Sequence, residues 1–171
     1  MTHMTIETIL EDERWDAVEL DALAQRAIPI ALHMVGLDAD GYEVSLLGCD
    51  DARIAALNAD FRGKPQPTNV LSWPSDDLSP EIAGEQPDKP EPGTSEMPTE
   101  LGDIAIAYET CEKEATSAGK PIGEHVTHLL VHGVLHLLGY DHIRDKDATL
   151  MESLEVQILA LMGHADPYRI D

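Results

Sequence analysis

Three histidines, His132, His136 and His142, stand at spacings of four and six, with Gly139 between the last two. On an α-helix, residues four apart share a face one turn apart, so the imidazoles of His132 and His136 can reach one ion. A helix continued to His142 would carry it about 15 Å along the axis from His132, too far to share that ion. The spacing therefore predicts that the helix stops and the chain folds back. Gly139 is the residue that tolerates the left-handed conformation of such a stop. His132, His136 and His142 are expected as the three ligands of one metal ion. Structural zinc usually takes four protein ligands, whereas three neutral imidazoles leave a position open for water or substrate. The ligand count thus argues for catalysis.

The same spacing occurs in zinc peptidases of the pattern H-E-x-x-H-x-x-G-x-x-H, where the glutamate after the first histidine serves as base. Here that position is Gly133. A metallopeptidase-like hydrolase would need a base from elsewhere in the fold. His125 and His128 continue the stripe, so that four histidines fall within about 80° of helix circumference. His128 is expected to line the pocket and contact substrate. Asp141 would either orient a ligand histidine or cap the turn.

These residues need a scaffold. Residues 5–10 read as a first strand. Residues 15–35 repeat apolar side chains at helical spacing, with Pro29 as the expected kink or break. Residues 42–48 suit a strand, and Asp50-Asp51 a helix start with Ile54, Leu57 and Phe61 inward. Val70 to Trp73 read as a short strand ended by Pro74, and residues 102–108 as another. Helices are expected over 109–118, over 123–138 with the histidines, and over 145–162 with Met151, Leu154, Ile158 and Leu161 inward. Residues 75–100 differ in kind, with five prolines, eight acids and one lysine. They are expected as a flexible acidic insertion, because so few apolar groups cannot offset the entropy of ordering. The pattern predicts one α+β domain over residues 1–171, with roughly four strands packed with helices and the metal site at the end of a central helix.

Composition bounds the function. Net charge is -22, which argues against a wholly basic nucleic-acid binder. Residues 53–75 depart from this, with Arg53, Arg62 and Lys64 against Asp60, a local balance of +2. Cys49 and Cys111 belong to no C-x-x-C pair and are expected reduced and buried. The N-terminus shows no basic segment followed by an apolar core, and the longest apolar run is too short to span a bilayer. A soluble cytoplasmic protein is expected.

Four segments then occur in order: Leu57-Asn-Ala-Asp-Phe-Arg62-Gly-Lys64, Thr68-Asn-Val-Leu-Ser-Trp-Pro74, Leu101-Gly-Asp-Ile-Ala-Ile106 and the histidine motif. Together they resemble the bacterial YbeY family of metal-dependent endoribonucleases and ribosomal RNA maturation factors, over about residues 42–163. The helix carrying Met151, Glu152, Glu155, Ile158 and Leu159 also fits. The resemblance implies one zinc ion on His132, His136 and His142 and a functional arginine at Arg62. It also implies single-strand-specific cleavage of ribosomal RNA precursor at the 16S 3′ end, a part in ribosome quality control, and contact with the ribosome or a ribosomal protein. Where the family usually shows Thr-Asp-Val-Leu-Ser-Phe, this chain has Asn69 and Trp73.

RNA cleavage needs an activated oxygen nucleophile and charge stabilisation at phosphorus. Arg62 cannot act as a base, since its guanidinium stays protonated. Its expected role is a bidentate grip on the scissile phosphate. Lys64, Thr68 and Ser72 are expected as further substrate contacts. The alternative to cleavage is a zinc-stabilised ribosome assembly factor that does not cut.

Overall fold

Alternation along two neighbouring strands divides the interior into two cores. In β2 (Tyr42–Cys49), Tyr42, Val44 and Leu46 enter the larger core, while Leu47 and Cys49 face the smaller one. In β4 (Thr99–Ala107), Ile104 and Ile106 join the larger core and Ala105 and Ala107 the smaller. This is the period-2 pattern of a sheet covered on both faces. β1 (Thr5–Leu10) and β3 (Val70–Pro74) complete a four-stranded sheet of order β1-β2-β4-β3. β1, β2 and β4 run parallel, and β3 pairs antiparallel to β4 as an edge. The computed structural model describes residues 4–168. The start of the N-terminus read for a leader (Met1 to His3) and the last three residues of the predicted domain lie outside the described residues.

Six helices surround this sheet: α1 (Arg14–Val18), α2 (Leu20–Met34), α3 (Asp51–Arg62), α4 (Tyr108–Ala118), α5 (Ile122–Leu137) and α6 (Asp145–Leu161). α3 lies over the smaller core through Ile54 and Leu57. α2, α5 and α6 build the larger one. The arrangement is the α+β fold expected from the sequence. Both cysteines are free and buried.

Three details differ from the sequence reading. The break in residues 15–35 falls at Glu19, whose φ of 59° separates α1 from α2, and not at Pro29. Trp15 explains this. Its ring is fully buried and its Nε1–H donates to the Cys49 carbonyl at 2.9 Å, so the chain must turn before α2 can cross the sheet. Pro29 costs α2 one backbone bond, but Ala27, Ile28, Ala31 and Leu32 are all buried and carry the helix past it. Phe61 is 65% exposed and meets Trp73 at 5.3 Å between ring centroids, so Ile54, Leu57 and Asn58 form the inner face of α3 without it. Leu161 is also exposed, and Leu159 takes the inward position next to Ile158.

Residues 75–98 contain neither helix nor strand. With so few apolar groups, they are held by polar contacts to the body. Arg144 donates through Nη1 to the Glu81 carbonyl at 2.9 Å and through Nη2 to the Pro80 carbonyl at 2.8 Å. Asp147 accepts the Gly84 N–H at 2.9 Å, and Tyr42 donates its O–H to the Pro90 carbonyl at 2.6 Å.

Candidate metal centre and cleft

α5 is positioned by burial. Nine of its residues are buried, from Val126 to Leu137, against the sheet and its neighbouring helices. Gly133 allows the close approach to β4, because a Cβ there would meet Ile104 Cδ1 at 3.3 Å. The position of the peptidase base is therefore packed against the sheet. The histidine stripe occupies the remaining face of the helix and looks into a cleft of about 700 Å³.

The helix stops where the sequence predicts. Gly139 has φ 99°, the Tyr140 N–H bonds back to the Leu135 carbonyl at 3.1 Å, and the chain reverses. A Cβ at Gly139 would stand 2.7 Å from the Leu78 carbonyl carbon, so both conformation and space require glycine. Asp141 accepts the His142 N–H at 2.7 Å and caps the turn; its carboxylate is 3.9 Å from His142 Nδ1.

His132, His136 and His142 thereby come together, one ligand atom from each lying within 4.8 Å of the others. His132 Nε2 and His136 Nε2 are 3.1 Å apart. Two nitrogens bound to one tetrahedral zinc would be about 3.3 Å apart at ordinary bond lengths, so the pair fits a shared ion. The protonation state fits as well. Burial, aided by the neighbouring His132 and His142, pushes the His136 pKa down to about 4, which keeps its imidazole neutral and able to coordinate. These three side chains could hold a metal ion.

Behind them stands Glu155, a fully buried carboxylate on α6 that the sequence reading assigned no role. One oxygen bonds His132 Nδ1 and the other accepts the Tyr168 O–H. His128 Nε2 is 3.6 Å from that second oxygen. Burial alone would raise the pKa of this carboxyl, but the donors His128, His132 and Tyr168 outweigh it and hold it at about 2. The signal was present: an acid interrupts the buried stripe of Met151, Ile158 and Leu159 and must find partners. Tyr168 had no comparable signal.

Opposite the histidines, β3 and the end of α3 form the second wall. Arg62, Thr68, Ser72 and His128 all line the cleft, as does the exposed Phe61. Lys64 does not line it. It follows Gly63, whose left-handed conformation ends α3 and turns the chain away. Asn69 donates to Glu114 Oε1 at 3.0 Å, and the same oxygen pairs with His125 Nε2 at 2.9 Å. An aspartate at position 69 would set a second carboxylate against Glu114, whereas the amide supplies a donor.

The sequence profile described as "Endoribonuclease YbeY" matches residues 5–163. The chain belongs to the YbeY family. Among its relatives, the "Endoribonuclease YbeY" of Ruegeria pomeroyi is 61% identical over 98% of this chain and 100% of its own length. The protein of the same name from Dinoroseobacter shibae is 56% identical over 96% of this chain and 90% of its own. The solution structure of a Thermotoga maritima protein shares the fold, with a TM-score of 0.55 at 19% identity, covering 97% of this chain and 100% of the other. The YbeY match spans both cleft walls and ends five residues before Tyr168. No helix among the described residues is long and apolar enough to cross a membrane.

Proposed function

We propose that this protein is a zinc-dependent endoribonuclease that cuts single-stranded RNA, acting on ribosomal RNA precursor at the 16S 3′ end and in ribosome quality control in the cytoplasm. The observation that carries the reading is the juxtaposition of three convergent histidines and Arg62 across one cleft. The endoribonuclease name of the relatives supports the substrate class. Zinc held by His132, His136 and His142 would supply Lewis acidity toward a phosphoryl oxygen or water.

The remaining roles belong to the chain itself. Arg62 grips the scissile phosphate with two parallel N–H bonds, and these strengthen as negative charge builds there. Thr68 and Ser72 offer hydroxyl donors on the same wall, and His128 bounds the cleft on the α5 side. Lys64, outside the cleft, contacts the RNA backbone beyond the scissile bond. Phe61 and Trp73 present aromatic surface for unpaired bases to stack on, which favours single strands over duplex. At a net charge of -22 the protein repels RNA at long range. Contact with the ribosome or a ribosomal protein therefore brings the substrate to the cleft. In this reading the whole chain is one catalytic domain, with the acidic segment 75–98 as an insertion ahead of β4.

The test is removal and return of the ion. Protein stripped by a chelator and verified metal-free should cleave neither a single-stranded oligoribonucleotide nor a ribosomal RNA precursor. Stoichiometric zinc should restore cleavage, with duplex RNA of the same sequence cut far more slowly. Full cleavage by the verified metal-free protein would overturn the reading.

A further inference from the structure

The segment after α6 returns to the metal centre. Gly163, with φ 81°, reverses the chain, and the His164 N–H bonds back to the Leu159 carbonyl at 2.9 Å. Asp166 accepts the Tyr168 N–H at 2.8 Å and fixes the approach of that residue. The Tyr168 ring then meets His128 edge-to-face at 5.5 Å and 89°, and its O–H reaches Glu155. The reversal sets Tyr168 against Glu155 of α6 and His128 of α5, five residues past the end of the profile match at residue 163.

Glu155 has two oxygens with separate tasks. Accepting at His132 Nδ1 requires the proton on that nitrogen, which leaves the lone pair on Nε2. Nε2 is the atom that stands 3.1 Å from His136 Nε2. The other oxygen is as deeply buried, and a buried carboxylate oxygen without a donor is costly. Tyr168 donates its O–H to that oxygen, with His128 Nε2 beside it at 3.6 Å. Without the Tyr168 O–H, the carboxylate would be free to rotate toward another partner, and that rotation loosens its hold on His132 Nδ1.

We infer that Tyr168 and Glu155 form a two-residue relay that positions His132 for metal binding, with Tyr168 a positioning residue contributed by the segment after α6. The inference rests on the reading of the three histidines as a metal site. It assigns no contact with substrate to either residue.

The test compares the zinc dissociation constants of the wild type, Tyr168→Phe and Glu155→Gln, measured by competition with a chromophoric chelator. Visible spectra of the cobalt-substituted proteins and melting curves of the metal-free ones accompany them. Glu155→Gln should bind zinc about 10- to 100-fold more weakly, and Tyr168→Phe about threefold or more. Cobalt bands should shift in both. Tyr168 is 40% exposed, so Tyr168→Phe should still fold when metal-free, melting only modestly lower for the lost donor, and decides the matter if Glu155→Gln does not fold. Wild-type zinc uptake with unchanged constants and unchanged cobalt spectra in the folded variants would overturn this inference alone. Failure of the wild type to take up zinc would overturn the metal reading and the inference with it.

Discussion

On the α5 side of the cleft the polar groups are committed to one another. Glu155 is fully buried between His132 and Tyr168, and His132 and His136 face each other at 3.1 Å. On the other side, Arg62 ends α3 in an exposed position, and its guanidinium makes no hydrogen bond or ion pair among the described residues. The contrast separates two jobs. A metal site needs its ligands held before the ion arrives, so their orientation is fixed by burial and by neighbouring carboxylates. A group that stabilises charge on a substrate gains most if its hydrogen-bonding capacity is unspent until the substrate is there. In the proposed reading, one wall is arranged to hold an ion before it arrives, and the other keeps a cation free for the substrate's anion.

The most severe way to break the first wall is His136→Ala. It should abolish zinc binding and RNA cleavage together, as read by metal analysis and an oligoribonucleotide assay. Gly139→Ala attacks the same wall through the backbone. A methyl group would be strained at φ 99° and would press on the Leu78 carbonyl. A loss of about 2–3 kcal/mol in denaturant unfolding is expected, with weaker zinc binding as His142 is displaced.

The protonation of the committed wall gives a subtler test. In metal-free protein His136 titrates at about 4 instead of near its ordinary value of 6.5. Between these values the unfolded chain binds a proton that the folded chain refuses. Stability contributed by the neutral form is present above pH 6.5 and is lost as pH falls toward 4. A slope of up to about 1.4 kcal/mol per pH unit is expected in that window, and His136→Ala should flatten it. Chemical denaturation across pH in the presence of chelator checks this. The smallest effect is expected from Arg144→Ala, which removes two anchors of residues 75–98. Limited proteolysis followed by mass spectrometry should show faster cutting near Pro80, with zinc content unchanged.

What could be read from the sequence was local. Spacing of four on a helix, a glycine stop and a histidine three residues later are short-range features, and the structure brings those three residues together. Strand alternation in residues 42–48 and 102–107 was legible for the same reason. The Glu155 contact depends on how α6 packs against α5, and the sequence showed only an acid in an apolar stripe. Tyr168 reaches the site through a chain reversal after Gly163 that no periodicity signals. The break at Glu19 escaped because a positive φ at a non-glycine residue follows from burying Trp15 at the end of β2, a tertiary demand that overrode the proline signal. Phe61 and Leu161 followed helical periodicity, but each lies at the end of its helix, where the partner surface has run out.

The central claim is that the histidine wall holds the ion and Arg62 serves the reaction. Single-turnover cleavage of a single-stranded RNA by the wild type and Arg62→Ala, with zinc content measured on the same samples, tests it most directly. The account predicts full zinc content and an unchanged melting temperature in the variant, with cleavage slowed about 10²- to 10³-fold. Cleavage at the wild-type rate by fully metallated Arg62→Ala would contradict it.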